Sequence, residues 1–92
     1  MSETLERTLT IRNERGLHAR AAAKFVKTAA GYDAEIYVSK DGQTVSGGSI
    51  MGLMMLAAGI GTTIDVAISG IEAGSAMDAI AALVGDKFGE EC

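Results

Sequence analysis

The chemistry open to this chain starts from one imidazole. His18 is the only histidine in 92 residues, and it stands in the run Gly16-Leu17-His18-Ala19-Arg20-Ala21-Ala22-Ala23. Glycine supplies the backbone freedom for a turn, and the alanines that follow are strong helix formers. His18 and Ala19 are therefore expected at a helix N-terminus, where the first amide N–H groups lack intrahelical partners and the macrodipole presents positive potential. Such a start attracts anions, phosphate above all, and Arg20 adds a fixed positive charge. A neutral ring there offers a nucleophilic lone pair. A phosphoryl group placed on His18 would have its oxygens met by the N–H groups near Ala19 and Arg20 and by the Arg20 guanidinium. A solvated turn histidine or a plain helix cap has the same local pattern, so these residues alone leave both readings open. No second acid–base group or metal-ligand spacing accompanies His18 in the sequence. That argues against an enzyme with turnover of its own.

A second stretch carries a hydroxyl. Gly47 and Gly48 free the backbone ahead of Ser49, which is placed to N-cap the helix that follows. A phosphate on Ser49 would sit at that helix start, where its charge is tolerated, so the cap and a regulatory role do not compete. Ile50 to Ile60 is apolar nearly all round. Leu53, Leu56, Ala57 and Ile60 follow the spacing of a core stripe, whereas Ile50, Met51, Met54 and Met55 project on another side. So small a domain has little material to cover both sides, and the methionine side is expected to be a docking surface.

The elements that must position these groups follow from periodicity. Leu5 to Ile11 alternates, with Leu5, Leu9 and Ile11 on one face and Thr8 and Thr10 on the other, as in a half-buried strand. A helix is predicted from Ala19 to Ala30, stopped by Gly31, with Ala22, Phe25, Val26 and Ala29 as its apolar stripe. Arg20, Lys24 and Lys27 lie near the opposite meridian and form a basic stripe beginning beside His18, suited to steering an acidic partner. Ala34 to Ser39 and Thr44 to Ser46 read as strands joined through Asp41-Gly42, a tight-hairpin signal. Thr63 to Ser69 alternates clearly. A last helix is predicted from Ala73 to Lys87, its inner stripe formed by Met77, Ile80, Ala81, Val84 and Phe88. The order βαββαβα predicts an α+β open-faced sandwich, a four-stranded antiparallel sheet with three helices on one face, as one domain over residues 1–92.

Composition narrows the function. The formal net charge is −4, which argues against nonspecific nucleic-acid binding. Six of the eight basic residues nevertheless lie between Arg7 and Lys27, so an acidic partner or an anionic group is expected there. No uninterrupted apolar run reaches spanning length, and Met1-Ser2-Glu3-Thr4 has none of the features of a secretory signal. Cys92 is the single cysteine, without an internal disulfide partner or zinc spacing, and reads as incidental. A cytoplasmic monomer with no metal, no cofactor and no membrane insertion is the expectation.

Gly16-Leu17-His18-Ala19-Arg20 resembles the active-site motif of the HPr family, the histidine phosphocarriers of the bacterial phosphoenolpyruvate-dependent phosphotransferase system. Ser49 to Leu56 is similar to the regulatory serine and short helix of that family, in the same order and in a chain of similar length. The resemblance implies phosphorylation of His18 on Nδ1, with Arg20 neutralising the phosphate. It implies the general phosphoenolpyruvate-dependent kinase as donor, sugar- or nitrogen-branch proteins as acceptors, and an HPr serine kinase acting on Ser49. It also implies that the helix carrying Ile50, Met51, Met54 and Met55 shares one partner-binding face with His18. The chain departs from the family at Ala21, where proline is usual, and a looser helix start is expected. Two other functions stay open on the residues. One is a regulatory interaction domain controlled through Ser49; the other is a small-molecule module using the fold alone.

Overall fold

A computed structural model describes residues 4–92. The elements are β1 (Leu5–Thr10), α1 (Ala19–Ala30), β2 (Glu35–Lys40), β3 (Gln43–Ser46), α2 (Ile50–Met55), β4 (Thr63–Ser69) and α3 (Ala73–Gly85), followed by one 3-10 turn at Lys87–Gly89. The strands form one antiparallel sheet in the order β1-β4-β2-β3. β4 lies inside the sheet because its Ile64, Val66 and Ile68 alternate inward and are fully buried. Leu9 of β1 pairs with Ile64, and Val38 of β2 pairs with Val66. On the opposite face Thr8 Oγ1 donates to Asp65 Oδ1 at 2.7 Å.

The hairpin between β2 and β3 closes through Asp41 and Gly42, both in the left-handed region at φ 49° and 83°. Two positive φ angles are what a two-residue hairpin of matching twist requires, so the Asp-Gly signal acts as expected. Phe25 of α1, Leu53 of α2, and Ile80 and Val84 of α3 bury against Ile11, Val38 and the three β4 residues. This is the α+β open-faced sandwich, with three helices packed on one side of a four-stranded antiparallel sheet. Leu5 is only at the rim, 36% exposed, although it shares the face of Leu9. In α1 the buried set is Ala21, Ala22, Phe25 and Ala29, while Val26 is half-buried.

Two element ends differ from the periodicity. α2 stops at Met55 rather than running to Ile60. Ala57 turns left-handed at φ 52° and is exposed, as is Ile60 at 55%, so only Leu53 and Leu56 of the expected stripe are in the core. The cause is tertiary: the chain reverses so that the Ala58 carbonyl accepts the Leu17 N–H at 2.9 Å and the Gly61 N–H reaches the Ile11 carbonyl at 2.8 Å. α3 likewise ends at Gly85, not Lys87, and Phe88 reaches the core from the left-handed turn that follows, not from the helical stripe.

Ser49 starts α2 from extended backbone, and its Oγ accepts the Gly52 N–H at 3.0 Å. Removing that acceptor in Ser49→Ala is expected to lower stability by about 1 kcal/mol. Denaturant unfolding with an unchanged slope checks this.

Candidate functional site

The loop ahead of α1 is shaped by a close approach of two backbones. Gly16 sits at φ +64°, and a Cβ built there would lie 2.3 Å from the Ala58 carbonyl oxygen. Asn13 spans the loop, its Nδ2 donating to the Gly16 carbonyl at 2.8 Å. The chain then delivers His18 to the N-cap of α1 in extended conformation, φ −73° and ψ 177°. The His18 carbonyl accepts from the Ala22 N–H at 2.9 Å, while its side chain makes no capping bond. The N–H groups of Ala19, Arg20 and Ala21 therefore open the helix without intrahelical acceptors. Ala21, unlike a proline at the same position, keeps its N–H.

His18 is not alone. Past α3, Lys87, Phe88 and Gly89 take successive left-handed φ values of 56°, 55° and 78°, a conformation that costs roughly 1–2 kcal/mol for each non-glycine residue. Complete burial of Phe88 offsets it. The turn sends Glu90 back in extended backbone, and its Oε2 lies 2.6 Å from His18 Nε2. Glu90 Oε1 accepts from Asn13 Nδ2 at 3.1 Å. Lys24 Nζ donates to the Phe88 carbonyl at 2.6 Å, and the Glu14 N–H to the Cys92 carbonyl at 2.9 Å. The expectation that no acid–base partner accompanies His18 is thus corrected: a carboxylate 72 residues away in the chain contacts the ring. Folding of the C-terminal arm brings it there, which local spacing does not show.

The electrostatics follow from these contacts. The hydrogen bond from His18 holds the Glu90 carboxyl below the ordinary glutamate range, helped by the Asn13 bond and by the charges of His18 and Arg15, while burial opposes. The lowered value adds stability that is complete above the ordinary glutamate pKa and is lost as pH falls through the folded-state value. An ionised carboxylate only accepts, so Nε2 carries the hydrogen of that bond. In the neutral ring the lone pair is then on Nδ1. Asn13 is fully buried, and among the described residues its Oδ1 has no partner.

Two open clefts flank the ring. One, of about 420 Å³, joins His18 to Arg15, Arg20, Lys24 and Glu90. The other, of about 270 Å³, joins His18 and Arg15 to Met54 and Ala57 at the end of α2. Arg20 and Lys27 are exposed, whereas Lys24 is half-buried and engaged with Phe88. Ile50, Met51, Met54 and Met55 are 40%, 74%, 41% and 68% exposed. The fold thus brings His18, Arg20, Lys24 and the methionine helix to one side, with Ser49 at the start of that helix. Asn13, Arg15 and Glu90 were missed by sequence reasoning. Arg15 could have been found by its place in the glycine loop; Glu90 offered no local signal. A groove of about 390 Å³ between α1 and β2, lined by Val26, Tyr32, Ile36 and Tyr37, shares no residue with either cleft. Among the described residues no cluster of His, Cys, Asp and Glu has the arrangement of a metal site.

Residues 5–86 match the family model described as "PTS HPr component phosphorylation site". The phosphocarrier protein HPr of Cupriavidus necator is 46% identical over 86 residues, covering 94% of this chain and 97% of that protein. The phosphocarrier protein NPr of Shewanella violacea is 48% identical over 86 residues, 94% of each chain. The crystal structure of HPr-C-His from Thermoanaerobacter tengcongensis superposes with a TM-score of 0.91 at 41% identity, covering 96% of this chain and 99% of that one. By sequence over nearly its whole length, and by fold, the chain belongs to the HPr family of phosphocarrier proteins of the phosphotransferase system.

Proposed function

We propose that His18 takes a phosphoryl group on Nδ1 from a phosphohistidine of the general phosphoenolpyruvate-dependent kinase and hands it to a downstream acceptor of the sugar or nitrogen branch. One observation carries this reading: His18 is the N-cap of α1, its side chain is free of the helix, and Arg20 shares its open cleft. The incoming phosphate oxygens meet the N–H groups of Ala19 and Arg20 and the Arg20 guanidinium, which is charge-assisted recognition of an anion. The shallowness of the cleft suits a group that must leave again. Carriage of this kind fits a monomer working in the cytoplasm; among the described residues no helix is long and apolar enough to cross a membrane. The direct test is incubation with phosphoenolpyruvate and the general kinase, followed by mapping of acid-labile, base-stable phosphate. Absence of such phosphate on His18, with the kinase shown to be active, ends the proposal.

Docking uses the exposed Ile50, Met51, Met54 and Met55 as an adaptable apolar patch, with Lys27 and Lys24 adding positive charge beside it. Met54→Asp is expected to slow phosphorylation by the kinase roughly tenfold, because a desolvated anchor becomes charged. Lys27→Glu is expected to slow it in a salt-dependent way. Initial rates at low and high ionic strength check both, and unchanged rates in the two variants would remove this docking face. A second reading rests on Ser49, whose hydroxyl already occupies a helix cap at the edge of the methionine patch. Phosphorylation of Ser49 by a dedicated serine kinase would leave the fold intact and place negative charge where an acidic partner docks.

A further inference from the structure

Glu90 lies beyond the last residue matched by the family model, yet it makes the one side-chain bond of His18 among the described residues. We propose that Glu90 is a positioning residue for phosphoryl transfer, its carboxylate keeping the proton on Nε2 of His18 through both halves of the cycle. The inference rests on His18 being the phosphorylated residue.

The geometry is that of a prepared contact. Surface ion pairs between two free side chains contribute little, but here both ends are held. Glu90 Oε2 is 2.6 Å from the ring, and Oε1 is fixed by the fully buried Asn13, which is itself bonded to the Gly16 carbonyl. The backbone on either side of Glu90 is tied by Lys24 to the Phe88 carbonyl and by Glu14 to the Cys92 carbonyl. The pair is also mostly withdrawn from water, the two side chains being 20% and 18% exposed.

The chemistry gives such a contact a purpose. When Nδ1 attacks, a bond forms between Nδ1 and phosphorus, and the donor's nitrogen–phosphorus bond breaks with its electron pair returning to the donor. The ring becomes a phosphoimidazolium, and the Nε2–H···carboxylate contact becomes a full ion pair. In the onward step the Nδ1–P bond breaks, its electron pair returns to Nδ1, and the phosphoryl group passes to the acceptor's nucleophile. Because the Nε2 proton has not left, the departing ring is neutral imidazole. Had that proton been lost, the leaving group would be imidazolate, a much poorer one. No proton is exchanged with solvent in either step.

Other charges face the same ring. Arg15, Arg20 and Lys24 line its cleft and oppose a positive imidazole, whereas Glu14 and Glu91 lie on the same side and offset them. The α2 side presents Met54, Ala57 and Ala58 and adds no titratable group. Glu90 is the carboxylate in contact.

The full chain with Glu90→Gln and Glu90→Asp tests the inference in two ways. In the unphosphorylated protein, nitrogen and proton NMR of His18 should show a downfield, slowly exchanging Nε2–H that is lost in Glu90→Gln and regained in Glu90→Asp. In the phosphorylated protein, Glu90→Gln should move the pH at which phosphohistidine lability falls off by on the order of one unit toward acid, making dephosphorylation roughly tenfold slower on the alkaline side. Backbone amide spectra confirm that both variants are folded. A Gln variant with an unchanged Nε2–H signal and an unchanged pH profile overturns the inference. If no phosphate reaches His18 even in the unaltered chain, the carrier reading fails, and the NMR comparison still decides whether Glu90 holds Nε2.

Discussion

Replacing His18 by alanine is expected to abolish phosphate uptake from the general kinase while leaving a folded domain. The loss should be complete rather than partial, since there is no other histidine to accept the group. The cost to stability is small for a stated reason. His18 holds its N-cap position through backbone conformation and its carbonyl, without a side-chain cap bond. What alanine removes is a mostly buried ring contact with Glu90, worth about 1 kcal/mol or less after the attendant entropy is regained. Radiolabel transfer from phosphoenolpyruvate, with acid and base stability of the product, measures the outcome. Acid-labile label persisting in His18→Ala would refute the assignment. The same assay separates the two phosphorylation readings, because a phosphate ester on Ser49 survives acid and phosphohistidine does not.

Gly16→Ala carries the largest expected effect on folding. Gly16 is left-handed at φ +64°, and an added Cβ would meet the Ala58 oxygen at 2.3 Å and the Gly59 Cα at 2.9 Å. Both obstacles are backbone, so no side-chain rotation relieves them. The conformational penalty is roughly 1–2 kcal/mol, and forcing the two segments apart adds about 1–3 kcal/mol. A total of about 3 kcal/mol is a large share of the roughly 5–15 kcal/mol that holds a domain together. Function should fall with it, since the movement loosens the Leu17 N–H to Ala58 carbonyl bond and the Asn13 brace that lead into His18. Gly42→Ala is the control. Its φ is +83° but nothing lies within 4 Å of the added methyl, so only the conformational part remains. Denaturant midpoints for the pair measure the difference, and equal losses would mean that the close approach of Gly16 to Ala58 contributes nothing.

Local features were legible where a few neighbouring residues decide the outcome. Asp41-Gly42 made a hairpin because both residues tolerate positive φ. β4 formed from strict alternation of Ile64, Val66 and Ile68, α1 ended at Gly31, and Ser49 capped α2. Periodicity failed at two places where a distant contact overrode it. α2 was cut short because the Ala58 carbonyl is needed by Leu17, and α3 because Phe88 packs from a left-handed turn. At the site, the motif from Gly16 to Arg20 located the imidazole and its helix start. It was silent on the carboxylate at Nε2 and on the engagement of Lys24 by Phe88.

The sequence by itself determined which groups stand at the proposed phosphate site: one imidazole, one neighbouring guanidinium and a helix start, all close together along the chain. Adjacency along the chain suffices for that, because helix propensity and backbone freedom act over single turns. Only the tertiary structure decided which ring nitrogen is free and what stands against the other. That outcome depends on a C-terminal arm whose path is set by burying Phe88 and by hydrogen bonds to Asn13, Glu14 and Lys24. Such contacts exist only after the sheet and helices have packed.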